Sequence, residues 1–133
     1  MTLHDAAERE LVRLETTPAS APYSAAVALG DLVWTSGALP TQPDGSCPAD
    51  FTDQVRAALA NLERQLKAAG ADFSTVLKIN GYVSDIERLP ELNKVYDDVV
   101  NVHGKPARTT VEVSRFRGQV QVEFEAVAHR KRS

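Results

Sequence analysis

Arg108 and Glu123 are the residues of this chain whose types and spacing are best suited to chemistry. Arg108 stands near the start of Pro106-Ala107-Arg108-Thr109-Thr110-Val111-Glu112-Val113, and Glu123 lies inside Val120-Gln121-Val122-Glu123-Phe124-Glu125-Ala126. A guanidinium presents a planar fork of donors that fits a carboxylate, and a carboxylate close by can orient or deprotonate water. Both runs are rich in β-branched residues and alternate apolar with polar. With the polar Arg115-Phe116-Arg117-Gly118-Gln119 between them they predict a β-hairpin, which would make Arg108 and Glu123 neighbours. The pair suggests chemistry on a small acid.

Other chemistries lack their residues. His4, His103 and His129 show no metal-ligand spacing with one another or with Cys47. His103-Gly104-Lys105-Pro106 lacks the glycine-rich run that a phosphate loop places before its lysine. No serine-centred nucleophile elbow occurs, and Cys47 in a Pro/Gly-rich loop reads as a bystander. A hydrolysis without metal or cofactor fits what is left.

These side chains need elements to position them. Ala26 to Leu29 and Leu32 to Ser36 are apolar-rich runs separated by Gly30-Asp31, a hairpin-turn pair, and an earlier run spans Leu11 to Glu15. Pro40, Pro43, Gly45 and Pro48 then punctuate a loop ending near Asp50. Phe51, Val55, Leu59, Leu62, Leu66 and Ala69 recur at three- and four-residue steps, with Asp50 or Thr52 as a cap and Gly70 as a stop. Leu77, Ile79, Gly81 and Val83 alternate with polar residues, which predicts a strand with one buried face. Pro90 suits the first turn of a second helix whose apolar face is Leu92, Val95, Tyr96, Val99 and Val100. The order β-β-β-α-β-α-β-β predicts an α+β domain, two helices on one face of a largely antiparallel or mixed sheet. The other face would carry Tyr82, Thr110 and Val127 beside charged residues, so it is expected to be partly covered.

At 133 residues the chain fits one domain, 1–133, with 1–10 expected as a poorly ordered or helical extension. With 43% hydrophobic and 25% charged residues it has an ordinary soluble composition, and no apolar run approaches the roughly 20 residues of a membrane span. Its start lacks the basic and apolar segments of a signal peptide, and its single cysteine fits a reducing compartment, so a cytoplasmic location is expected. A formal charge of −3 argues against nucleic acid as a partner, and the basic His129-Arg130-Lys131-Arg132 reads as a solvated tail.

Four ordered segments resemble a known family. Ala21-Pro22-Tyr23-Ser24-Ala25-Ala26-Val27, Trp34-Thr35-Ser36-Gly37-Ala38-Leu39-Pro40, Leu92-Asn93-Lys94-Val95-Tyr96 and the Arg108 and Glu123 runs are similar to the signatures of the RidA/YjgF family of imine deaminases. The resemblance covers roughly residues 15 to 130. It implies a chorismate-mutase-like domain and a homotrimer whose active sites lie in clefts between subunits. By the resemblance Arg108 binds the substrate carboxylate, Glu123 activates the attacking water, and Tyr23, Gly37 and Asn93 line the pocket, Gly37 as a backbone donor. Read alone, Glu123 would be one more polar residue on an amphipathic strand, Asn93 a solvated helix residue and Tyr23 a lid on the core. The chain departs from the family pattern at Ala25 and Ala38, where glutamine is common, and at Thr110, where many members have cysteine.

The resemblance implies a hydrolytic deaminase converting small 2-imino acids, derived from 2-aminoacrylate-type enamines, to 2-oxo acids and ammonia, with 2-iminobutanoate and 2-iminopropanoate as model substrates. One rival is a larger unsaturated amino or imino acid, motivated by Ala25 and Ala38. Another is a non-catalytic trimer that binds small metabolites and signals to a partner, and a third is a ribonuclease or translation inhibitor, which the acidic composition disfavours.

Overall fold

The computed structural model describes residues 8–131. The chain follows the expected order: β1 (Glu10–Val12), β2 (Ala26–Leu29), β3 (Leu32–Thr35), α1 (Phe51–Ala68), β4 (Val76–Val83), α2 (Leu89–Val99), β5 (Ala107–Glu112) and β6 (Val122–His129). Most of the expected 1–10 extension lies outside the described residues, and Glu10 already opens β1.

Local chemistry sets the element ends. Gly30, at φ 58°, supplies the left-handed residue of the two-residue turn that pairs Leu29 with Leu32. Asp50 caps α1 by accepting from the Asp53 amide at 3.2 Å, and Gly70 lies just past its end at φ 86°. Pro90 sits in the first turn of α2, where its missing N–H costs nothing. Val55, Leu59, Leu62 and Leu66 of α1 and Leu92, Val95 and Tyr96 of α2 are buried with Val33, Ile79, Val83, Val122, Phe124 and Ala128 of the strands. Burying one large aliphatic side chain contributes about 1.5–3 kcal/mol, so this single cluster between helices and sheet dominates the fold's stability.

The six strands form one mixed sheet in the order β1-β2-β3-β6-β4-β5. Only β4 and β5 run parallel. The hairpin expected between β5 and β6 does not exist, because β4 lies between them. Val113 donates its N–H to Val83 O and Ser84 donates to Gln121 O, so the end of β4 is held between the two arms of the connection. Gln54 of α1, fully buried, fastens the far arm: its Nε2 donates to Pro48 O and Gln119 O, and its Oε1 accepts from the Gln121 amide. The link 113–121 is long enough to bridge a strand. It delivers β6 to the sheet centre, where Val122, Phe124, Ala126 and Ala128 are buried.

Two further expectations change. A register shift between Val76 and Lys78 turns Leu77 out of the buried set, leaving it 47% exposed. Thr110 pairs with Gly81 and shares the helix-covered face, not the open one. The open face carries Trp34, Tyr82, Glu123, Glu125 and Val127 instead.

Candidate active site

The parallel β4–β5 pairing puts Arg108 beside Ile79, on the face that the helices cover. There α2 receives it: Asn93 Oδ1 accepts from Arg108 Nη1 at 2.8 Å, and the guanidinium carbon lies 4.8 Å from the centre of the Tyr96 ring. Asn93 and Tyr96 are one helical turn apart and so present adjacent side chains. One hydrogen bond and a stacked ring orient the guanidinium while leaving most of its five donors for a ligand. Two buried hydroxyls nearby, Tyr96 Oη and Thr110 Oγ1, have no hydrogen-bond partner among the described residues. Burial pushes the Tyr96 phenol up to about 12, against a smaller opposing effect of Arg108.

Glu123 lies on the other face. It pairs with Tyr82 in register and alternates out of the buried set Val122, Phe124 and Ala126. No hydrogen bond reaches its carboxylate among the described residues. Gly37 packs directly against it: a β-carbon built on Gly37 would lie 1.8 Å from Glu123 Oε2 and 2.8 Å from Cδ. Ala38, next in the chain, exchanges backbone hydrogen bonds with Phe124, which holds Gly37 and Glu123 in register. Desolvation first, and the charge of Glu125 second, raise the Glu123 pKa above the ordinary carboxylate value. Glu125 itself accepts from Asn80 Nδ2 and the Tyr82 hydroxyl, a shell that Glu123 lacks.

Tyr23, 56% exposed, and Gly37 line a cavity of about 550 Å³ between α1 and the loops around residues 14–18 and 37–45. Ser36 Oγ donates to Ser24 O at 2.6 Å and so ties the Tyr23 segment to the end of β3. Ala25 and Ala38 also face this cavity, as do Asn61, Arg64 and Gln65 of α1. A second hollow between the helices, lined by Arg56, Glu91, Lys94 and Asp97 among others, holds none of the expected site residues.

The five expected residues therefore form two clusters within one chain. Arg108 and Asn93 are joined on the helix-covered face, whereas Glu123 and Gly37 are joined on the open face, with Tyr23 sharing the cavity that Gly37 borders. The chain holds a guanidinium with free donors and a desolvated carboxylate, but not against one another. No group of three or more His, Cys, Asp or Glu among the described residues is arranged to hold a metal ion. Sequence reasoning missed Tyr96 as the platform under Arg108, although its one-turn spacing from Asn93 was a usable signal. It also missed Asn61, Arg64 and Gln65, three polar residues clustered on a helix otherwise read only for its apolar stripe.

Residues 14–130 match the family model described as Endoribonuclease L-PSP. The 2-iminobutanoate/2-iminopropanoate deaminase of Escherichia coli K12 is 35% identical over 124 residues, covering 90% of this chain and 97% of that protein. Among solved structures, the YjgF gene product from E. coli is 34% identical with a TM-score of 0.84, covering 92% of this chain and 99% of that one. E. coli TdcF, crystallised with bound serine, is 33% identical with a TM-score of 0.84, covering 92% and 99%.

Proposed function

Because the chain belongs to the RidA/YjgF family, we propose that it is a hydrolytic deaminase that converts small 2-imino acids to 2-oxo acids and ammonia. The observation that carries this reading is the state of Glu123: a carboxylate without a hydrogen-bond partner among the described residues, desolvated, and pressed against the backbone of Gly37. A carboxylate of raised basicity beside a bare peptide unit is suited to taking a proton from water at the moment that water attacks.

The active unit in this reading is a trimer in which Arg108 and Asn93 of one protomer face Glu123, Gly37 and Tyr23 of the next. The opposite-face placement of the two clusters supports it, as does the half-exposed open face with Trp34 41% exposed. Arg108 clamps the substrate carboxylate through two parallel N–H donors, setting the imine carbon near Glu123. Glu123 accepts a proton from water as the water oxygen bonds to the protonated imine carbon, and the C=N electron pair moves onto nitrogen. Glu123 then returns that proton to the amine. The hydroxyl oxygen forms the carbonyl as its proton passes to Glu123 and the C–N bond breaks, and the departing ammonia takes that proton from Glu123 to leave as ammonium. Iminium and water become 2-oxo acid and ammonium, so the reaction balances without a redox partner.

A larger 2-imino acid is the second reading, favoured by the cavity that Ala25 and Ala38 border. The decisive assay generates 2-iminopropanoate and 2-iminobutanoate in situ with an amino-acid oxidase and follows the loss of imine. The protein should accelerate hydrolysis well above the spontaneous rate. An unchanged rate with both substrates overturns the reading.

A further inference from the structure

We propose that the cavity beside Gly37 is a side-chain subsite for a second carboxylate, so that the preferred 2-imino acids are dicarboxylic, with Arg64 receiving the distal group. The proposal rests on the deaminase reading for the position of the reacting carbon, and deepens it by naming the substrate class.

Asn61, Arg64 and Gln65 occupy adjacent positions on α1, and each lines the cavity. The Asn61 amide is fixed by donating to Leu39 O at 2.6 Å and Thr41 O at 2.8 Å. Its oxygen is thereby turned to accept from Arg64 Nη2. That bond uses one of the five guanidinium donors and anchors Arg64 at the cavity, leaving the others available. Arg56, Arg88 and Arg130 are each paired with a carboxylate; several other arginines, Arg13, Arg108 and Arg64 among them, are paired with none among the described residues, and of these Arg64 lines the cavity. Its charge is left for something that enters from outside.

The rest of the cavity suits the spacer of such a ligand. Leu14, Pro18 and Leu39 supply apolar wall, and Ala25 and Ala38 leave room where longer side chains would fill it. Gln65 does not close the space, because its amide is spent on Ala25 O at 3.0 Å and Ser36 O at 3.2 Å. A volume of about 550 Å³ is of the size that holds small-molecule ligands and exceeds what a three-carbon acid needs. Gly37 borders the cavity and packs against Glu123, which does not itself line the cavity, so in the proposed pose the spacer of the ligand passes Gly37 from the one to the other.

The test compares wild type with Arg64→Gln, a change at an exposed helix position that should leave the melting temperature unchanged. Imines of aspartate and alanine are made in situ by suitable oxidases, and binding of 2-oxoglutarate and pyruvate is measured by calorimetry. The ratio of kcat/KM for the dicarboxylic over the monocarboxylic imine should exceed one in the wild type and fall about 10- to 100-fold in Arg64→Gln, the loss expected for a charge-assisted contact. The affinity ratio of 2-oxoglutarate to pyruvate should fall in parallel. If wild type shows no dicarboxylate preference in turnover or binding, or if Arg64→Gln leaves both ratios unchanged, the subsite is wrong. If 2-oxoglutarate binds more tightly in an Arg64-dependent way but neither imine is turned over, the subsite stands and the deaminase reading falls.

Discussion

Gly37 leaves no room for a side chain beneath Glu123: its own missing β-carbon would overlap Oε2 of that carboxylate. The overlapping atoms are the far end of a flexible side chain, so a substitution there is accommodated by moving Glu123, not by unfolding the sheet. Gly37→Ala should therefore leave the melting temperature nearly unchanged while displacing the base. Misplacing a catalytic group by about 1 Å can cost on the order of 100-fold in rate. Steady-state assays beside thermal denaturation check this. A variant that keeps full activity would remove Glu123 from the mechanism, and one that unfolds would show that the glycine serves packing.

Arg108→Lys keeps the positive charge and loses the planar fork. It should lower kcat/KM for a 2-imino acid by about 2 to 4 kcal/mol of transition-state stabilisation, roughly 30- to 1000-fold. The arginine is also held in the free protein by Asn93 and the Tyr96 ring, so the variant should lose about 1 kcal/mol of stability as well. Asn93→Ala separates the two effects: it frees the guanidinium without removing it, and should raise KM more than it lowers kcat. Equal activity of wild type and Arg108→Lys would assign the arginine to structure alone.

The order of elements was legible because each carries its own period: apolar steps of three and four in α1 and α2, alternation in β4 and β6. Strand adjacency was not. Alternation in β5 and β6 says that both are strands, but not that β4 separates them, which depends on long-range pairing of Ile79, Gly81 and Val83 with the β6 core. For the same reason the motif that singles out Arg108 and Glu123 wrongly places them as neighbours in one chain. The bulge at Leu77 breaks the period locally, and no turn residue marks it. Gln54 and Gln65 are polar in composition but buried, because each satisfies backbone groups of a distant segment. Those partners can be known only after the chain has folded.

The acid limb of the activity profile should report Glu123. Its folded pKa is raised, so it stays protonated to a higher pH than a free carboxylate, and a protonated base cannot take a proton from water. Activity should fall as pH drops through that raised value. In stability the sign is opposite, because the folded chain holds this proton more tightly than the unfolded one. Its contribution is present below the unfolded pKa and lost as pH rises through the folded pKa. Glu125→Gln removes the like charge but keeps an oxygen for Asn80 and Tyr82, so it should move the acid limb to lower pH. A limb that stays in place in kcat/KM profiles of the two proteins would show that the titrating group is not Glu123.

Arg108 and Glu123 project from opposite faces, so the proposed trimer predicts that a defect in one can be rescued by a protomer defective in the other. Arg108→Lys and Glu123→Gln proteins, each nearly inactive alone, would be unfolded together in equal amounts and refolded. A site is intact when its arginine comes from a Glu123→Gln chain and its glutamate from an Arg108→Lys chain. Random assembly around a closed ring makes about one-quarter of the sites intact, being one-half times one-half. The mixture should then recover about a quarter of wild-type activity, with light scattering reporting trimers. Were the two residues to act within one chain, no mixture could contain a complete site, and activity would stay at the level of the separate variants. A monomer in light scattering, or a mixture without recovery, would contradict the shared cleft while leaving the Arg108–Asn93 and Gly37–Glu123 contacts as features of the single chain.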